Sequence, residues 1–256
     1  MNKNKKDLLK EEEEEEKNYL CSDIRFPPVV WARGWHGDLC ICSDFRISTF
    51  LNAYRRGIFP WPKIEEFYGP LEHNSWNCPK QRGVLFFENF KVAKSLQRLI
   101  KKRKFTVKLN SDFNQVIDLC AFTREDTWLT PKLRRAYKRL FKKGYAYSVE
   151  VYDKDFLVGG LYGVTINRYV SGESMFYLVP NASKIALVYL VNYLKEKGVK
   201  WIDCQVKSRH LSSFGTKGIP RDDFLLLLEE ALEQETCLFP PTPLTLETAL
   251  EETSSP

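Results

Sequence analysis

Two short segments hold side chains that could steer a proton or a cation in a protected place. In Trp201-Ile202-Asp203-Cys204-Gln205-Val206, an extended backbone with its period of two puts Trp201, Asp203 and Gln205 on one face, and Ile202, Cys204 and Val206 on the other. Two polar side chains therefore point the same way from an otherwise apolar strand. Unpaired polar groups are costly in a core, so the pair either hydrogen-bonds internally between strand and helix or faces a cavity. In Gly172-Glu173-Ser174-Met175-Phe176 the same period places Glu173 beside Met175, which fits a pocket acidic at one end and apolar at the other. Upstream, Gly159-Gly160-Leu161-Tyr162-Gly163 carries too many glycines for a plain central strand; it predicts a bulge, a close backbone approach or an irregular edge.

A second chemistry is electrostatic. The formal net charge is +6, but residues 1–20 carry five Lys against seven Asp and Glu, and residues 229–256 carry seven Glu and no base. The body between them is left at +15, which suits either a polyanionic partner or a lysine-rich solvated surface. The clearest helix, Lys132 to Lys143, concentrates that charge. Leu133, Ala136, Tyr137, Leu140 and Phe141 form its apolar stripe, Thr130 is its N-cap, Pro131 its first residue, and Gly144 stops it. The other face is basic throughout, and Arg134, Arg135, Lys138, Arg139 and Lys142 are the candidates for contact with a nucleic-acid backbone.

These residues need a frame to hold them. Residues 1–23 read as a mobile acidic and lysine-rich tail, with no apolar stripe to dock. Residues 24–80 read as a small N-terminal domain rich in Trp, Pro and Gly; its helix runs from Ser48 to Arg56 and ends at Gly57. Phe59-Pro60-Trp61-Pro62 should then be irregular, with Trp61 on a loop. Residues 81–235 alternate strand and helix: strand 84–87, helix 92–102, strand 105–109, a helix from 111 or 112, helix 132–143, strands 145–152, 156–165 and 168–178, helix 183–197, strand 201–206 and helix 222–232. Antiparallel strands feeding a buried helix and a further strand make an α+β pattern, in the order of the N-acetyltransferase-type fold. Phe239-Pro240-Pro241-Thr242-Pro243 opens a second tail over residues 236–256.

Other classes are set aside by what is missing. No apolar stretch approaches the length of a membrane helix. The first residues are polar and charged without an apolar h-region, so a cytoplasmic protein is expected. Seven cysteines lack C-x-x-C spacing and clustered histidines, so we expect reduced thiols and no metal. Cys40 and Cys42 read as packing residues.

Several segments, in order, resemble the leucyl/phenylalanyl-tRNA–protein transferase family: Ala53-Tyr54-Arg55-Arg56-Gly57-Ile58-Phe59-Pro60-Trp61, Thr127-Trp128-Leu129-Thr130, Gly159-Gly160-Leu161-Tyr162-Gly163, Gly172-Glu173-Ser174-Met175-Phe176, Asn181-Ala182-Ser183-Lys184, Ile202-Asp203-Cys204-Gln205 and Ile219-Pro220-Arg221. The similarity spans about Phe26 to Leu228. It implies transfer of Leu or Phe from aminoacyl-tRNA to the N-terminal amine of proteins beginning with Lys or Arg, which marks them for N-end-rule degradation, by a monomer without cofactor or membrane.

The resemblance also implies roles. Trp61 and Trp128, with Tyr54 on the helix beside the first, would hold the 3′-terminal adenosine by aromatic stacking. Leu161, Met175 and Ile202 would line the pocket for the Leu or Phe side chain. In the relay it implies, the Gln205 amide oxygen accepts a hydrogen bond from the attacking amine while Asp203 orients that amide, and Glu173 meets the acceptor's cation. Cys204 would face away into the core. Strand alternation sets Ile202 opposite Asp203, so both assignments hold only if the strand is twisted or splayed there. Where the family has Gly-Gly-Asp-Leu, this chain reads Cys42-Ser43-Asp44-Phe45, and the segment from Pro62 to Asn74 is longer than usual.

Three other readings compete. An acetyltransferase using coenzyme A would need a Gly-x-Gly loop before the helix at Ser183, but Val179-Pro180-Asn181-Ala182-Ser183-Lys184 has no glycine. A transferase branching peptidoglycan peptides would need tandem domains that 256 residues cannot hold. A catalytically degenerate relative that only binds tRNA or RNA would need the basic helix, but not the Trp61, Trp128, Glu173, Asp203 and Gln205 set.

Overall fold

The structure is a computed structural model and describes residues 25–61, 74–123 and 127–246. The tail expected over residues 1–23 and the lengthened segment after Trp61 lie outside the described residues. Two sheets are present among the described residues. The smaller has three strands, β1 (Asp38–Cys42), β2 (Phe59–Pro60) and β3 (Asn74–Asn77), in the order β1-β3-β2. Helix α1 (Ile47–Tyr54) lies between the first two, and the turn that follows it closes at Gly57, whose φ of 71° only glycine adopts easily. Phe59 and Pro60, expected to be irregular, instead form an edge strand on Asn77 and Trp76. Proline is tolerated there because an edge residue needs no N–H for a further neighbour.

The larger sheet adds β4 (Gln81–Phe86), β5 (Thr106–Leu109), β6 (Ala146–Asp153), β7 (Phe156–Ile166), β8 (Tyr169–Tyr177), β9 (Trp201–Asp203), β10 (Lys217–Pro220) and β11 (Leu244–Thr245). Its order is β10-β4-β9-β8-β7-β6-β5-β11. Every pairing is antiparallel except β8 with β9, which run parallel and meet only at Ser171 and Asp203. It is a mixed α+β architecture, with helices on both faces of the sheet.

On one face sit α2 (Lys94–Lys101) and α5 (Ala182–Glu196), burying Leu96, Ile100, Ile185, Leu190 and Leu194 against Val107, Tyr147 and Val149. On the other sit α3 (Phe113–Phe122), α4 (Pro131–Lys142) and α6 (Arg221–Glu233), whose Phe113, Tyr137 and Phe224 share one buried cluster with Phe50, Tyr54 and Trp76 of the small sheet's unit. Both start signals for α4 are used: Thr130 Oγ1 accepts from Leu133 N–H at 3.3 Å, and Pro131 is the first residue. Asp112 caps α3 in the same way, accepting from Gln115 N–H.

The expected tail needs correcting. Through residue 246 the chain returns to the body: Leu238, Phe239 and Leu246 are buried, and β11 pairs with β5. The Phe239 ring stacks on Tyr147 at 4.1 Å, Tyr193 Oη donates to Leu238 O, and Asn110 donates to Pro240 O. The prolines exclude a helix, but they leave apolar side chains free to dock. Residues 247–256 lie outside the described residues.

Candidate functional site

The site follows from two irregularities in the large sheet. Between β7 and β8 the register shifts at Tyr162/Gly163: Tyr162 faces Ser174 while Gly163 faces Gly172, so Glu173 is the extra residue of a bulge. A Cβ on Gly163 would lie 1.9 Å from Ser171 O, so the bulge requires glycine there. The bulge expected of the glycine-rich stretch is therefore present. Between β8 and β9 the sheet opens. The strands touch at Ser171 and Asp203, β9 stops, and β8 runs on to Tyr177.

The opening is a cleft of about 440 Å³, lined by Trp61, Trp128, Leu161, Glu173, Met175, Ile202, Cys204, Gln205 and residues of α5 such as Leu187 and Leu190. Side chains expected to cooperate, drawn from positions 61 to 205, thus border one cavity of a size that holds small organic groups. Trp61 follows β2, its N–H bonded to Ser75 O and its ring 5.1 Å from that of His36. Trp128 precedes α4, with its ring 6.5 Å from Tyr137.

Glu173 is the one carboxylate among the lining residues described. Its Oε1 accepts from Ser171 Oγ at 2.7 Å and from Gln205 Nε2 at 2.9 Å, and its Oε2 accepts from Tyr137 Oη at 2.9 Å. Burial pushes its pKa up, against the pull of these donors. Tyr137 Oη in turn lies 2.9 Å from Tyr54 Oη. Burial, with the charge of Glu173 added, raises both phenols well above their ordinary range, so both stay protonated donors. Ser171, Gln205 and Tyr137, with Tyr54 behind them, thus hold the carboxylate in a fixed orientation at the cleft's edge.

The Asp203–Gln205 segment departs from the extended strand that alternation predicted. Strand β9 ends at Asp203, and Gln205 sits at φ 58°, a left-handed conformation worth about 1–3 kcal/mol of strain for a residue with a side chain. Two main-chain bonds hold it there: Gln205 N–H donates to Asp203 Oδ1 at 2.8 Å, and Gly83 N–H donates to Gln205 O at 2.9 Å. The twist explains how Ile202 and Gln205, on opposite faces of an ideal strand, both reach the cleft. Cys204, expected in the core, also lines it. Burial, and then the Asp203 charge, push its thiol up to about 12, so it stays protonated and is no nucleophile.

Asp203 itself does not touch the cleft. It is fully buried and accepts from Arg82 Nε at 2.8 Å, Arg82 Nη2 at 2.6 Å, Tyr169 Oη at 2.6 Å and Gln205 N–H. The side-chain amide that the resemblance implied Asp203 would orient is held instead by Glu173. Tyr54 also departs from expectation: it is fully buried and outside the cleft lining, so it cannot stack on a base. Its hydroxyl meets the site from behind, beside Tyr137 and Glu173.

A profile of the leucyl/phenylalanyl-tRNA protein transferase family matches residues 84–229. Proteins described as leucyl/phenylalanyl-tRNA–protein transferase are similar over most of their length: one from Dechloromonas aromatica is 43% identical over 204 residues, 78% of this chain and 85% of its own. One from Pseudoalteromonas atlantica is 41% identical over 218 residues, 84% of this chain and 91% of its own. The chain belongs to the leucyl/phenylalanyl-tRNA protein transferase family. By that membership it is an aminoacyltransferase. Among solved structures, that of L-PGS from Bacillus licheniformis covers 52% of this chain and 49% of its own, at 14% identity and a TM-score of 0.36, too distant to bear on fold or function.

Around this cleft the basic residues divide in a way the sequence did not reveal. On α4, Arg134 and Lys138 both bind Asp118 at 2.8 Å, and Arg139 donates to Phe45 O, so that face is partly neutralised. Arg135 and Lys142 are exposed. On α2, Lys94, Arg98 and Lys101 are exposed, as is Lys102 at its C-cap. The segment before that helix touches the cleft's rim: Lys91 N–H bonds Phe214 O, and the Phe214 ring lies 5.8 Å from His210, which lines the cleft. The turn built from Cys42-Ser43-Asp44 uses Asp44, which accepts from Arg46 N–H and Thr49 Oγ1 at the head of α1. Sequence reasoning missed Arg82 and Gly83, whose neighbours along the chain carry no hint of them, and Tyr137, which it read as part of a core stripe. No helix among the described residues is long and apolar enough to cross a membrane.

Proposed function

We propose that the chain transfers leucine or phenylalanine from the 3′ end of aminoacyl-tRNA to the α-amine of proteins that begin with Lys or Arg, marking them for N-end-rule degradation. It would act in the cytoplasm, as a monomer, without a cofactor. The observation that carries this reading is the shared border of one cleft: Trp61 and Trp128 beside Leu161, Met175 and Ile202, with Glu173 and Gln205 between. We also assign an acetyltransferase-like unit to residues 81–235 and a small N-terminal domain to residues 24–80, which supplies Trp61.

In this reading the two indoles hold the terminal adenine, and the apolar wall takes the Leu or Phe side chain, selecting by size and burial. The acceptor amine, once neutral, attacks the ester carbonyl. The tetrahedral intermediate then loses the tRNA 3′ oxygen, which takes up a proton. Because Gln205 Nε2 is committed to Glu173 Oε1, the amide oxygen is the end left for the incoming amine. An amide is a very poor base, so its work is to orient the amine, with Asp203 fixing the amide's main chain and Glu173 its side chain. Glu173, the lone carboxylate of the lining, attracts the Lys or Arg side chain of the acceptor. The exposed bases of α2, with Arg135 and Lys142 of α4, fit the phosphate backbone.

The test is transfer of labelled Leu from Leu-tRNA to a peptide beginning with Lys or Arg. Gln205→Ala should cut turnover strongly while tRNA retention stays near wild type. A wild-type protein that retains tRNA yet transfers nothing would replace this reading with a binding role.

A further inference from the structure

Arg82 lies outside the cleft lining, is 1% exposed, and is bound on every side. Its Nε and Nη2 fork onto Asp203, its Nη1 donates to Gly57 O at 2.9 Å, and its guanidinium lies between the rings of Phe59 and Phe224 at 4.5 and 4.4 Å. Those partners belong to two parts of the site that are far apart in sequence. Gly57 and Phe59 form the short run that ends at Trp61, and Asp203 holds the N–H of the left-handed Gln205. We propose that Arg82 is a positioning residue that locks the Trp61 loop and the Gln205 turn into one unit, so that the stacked adenosine and the amine-orienting amide keep a fixed separation.

This rests on the proposed roles of Trp61 and Gln205. The physical reason is that a planar guanidinium offers five donors in a rigid fork, so it can fix a carboxylate and a carbonyl at the same time; lysine, a single point charge, cannot. The neighbouring residue reinforces the arrangement. Gly83 donates to Gln205 O and accepts from Cys204 N–H, so β4 grips the turn through two successive residues. Trp128 lies outside this unit, on the loop before α4.

The inference is tested by double-mutant cycles on kcat/KM for Leu-tRNA. Arg82→Lys is combined with Trp61→Ala and, separately, with Trp128→Ala. We expect Arg82→Lys to lower kcat and raise KM for the tRNA while KM for the acceptor peptide stays within about twofold. Its effect should shrink at least fivefold once Trp61 is gone, but change by less than about twofold once Trp128 is gone, since independent sites add to within that margin. A residue that served only stability would act equally in all three backgrounds, and that outcome overturns the proposal. Should Arg82→Lys fail to fold, Asp203→Asn cuts the same fork from its other end and is carried through the same two cycles, with the same criteria. If the wild-type protein transfers nothing, the functional reading fails instead. Additive cycles on an active wild type refute only the role of Arg82.

Discussion

Replacing Gly83 by alanine should slow transfer although no atom of Gly83 borders the cleft. A Cβ built there lies 2.8 Å from Lys207 N, 3.0 Å from Val206 C and 3.2 Å from Lys207 Cα, all backbone atoms that cannot rotate away. Ordinary contact begins at 3.4 Å, so the 206–207 segment must retreat by about 0.6 Å, taking Gln205 with it. A misplacement of 1 Å can cost about a hundredfold in rate, so this retreat predicts a loss of roughly ten- to twentyfold in kcat, with KM for aminoacyl-tRNA little changed. Overpacking should also lower stability by about 1–3 kcal/mol. Gly144→Ala is the control: its Cβ meets nothing within 4 Å, but at φ 80° it should lose about 1–2 kcal/mol from backbone strain alone. Single-turnover transfer and chemical denaturation would be measured on both variants. Equal destabilisation with a rate loss confined to Gly83→Ala supports the reasoning; a Gly83→Ala enzyme at wild-type rate refutes the claim that the 83–205 contact sets the amide's position.

Glu173→Gln should raise KM for a Lys- or Arg-initiated peptide by about ten- to 150-fold, the worth of a hydrogen bond to a charged partner. The raised pKa of Glu173 gives two opposite pH dependences: its contribution to stability is full below the unfolded pKa and lost as pH rises through the folded one, whereas attraction of the acceptor cation grows over that range. Glu173→Gln should remove both trends, read by melting temperature and by peptide KM against pH. Phe239→Ala should destabilise by about 3–5 kcal/mol in denaturant melts because its ring is buried on Tyr147, whereas a loose tail would give no change. Changing Lys94, Arg98, Lys101 and Lys102 together to Gln should lower the slope of log affinity for tRNA against log salt by up to about 3–4. Arg134→Gln with Lys138→Gln, whose charges already meet Asp118, should lower it by less.

Most of the larger sheet could be read from the chain because its elements carry local signals. The β6–β7–β8 meander and α5 appear within a residue or two of where alternation and apolar periodicity placed them. Helix α4 was legible down to its cap, since Thr130 and Pro131 act through contacts with their immediate neighbours. What escaped was held by distant partners. Strand β1 is fixed by pairing with β3, some 36 residues on, and β10 by pairing with β4, more than 130 residues back. The Pro-rich run after Phe239 was read as a tail because proline was weighed as a breaker of regular structure. Its docking depends on Tyr147 and Tyr193, about 90 and 45 residues away.

The site shows the same division at finer grain. Glu173 and Met175 share a face as the period of two requires, and both border the cleft. Alternation fails two residues beyond Ser171's partner Asp203 because a period of two assumes neighbours on both sides, and β9 loses β8 there. Once the strand is unpaired, the main chain of Gln205 needs other partners, and it finds them in Asp203 Oδ1 and Gly83 N–H. It makes both bonds in the left-handed turn, so the conformation that defeats a strand-based reading is the one in which Gln205 meets Glu173. The carboxylate that sequence logic set beside the amide ends up behind it, neutralised by Arg82. A buried acid gripped by a guanidinium fork and a tyrosine hydroxyl suits holding a strained backbone better than exchanging protons. Proton handling is thereby left to groups that border the cleft, and the strain at position 205 is what ties their placement to the rest of the sheet.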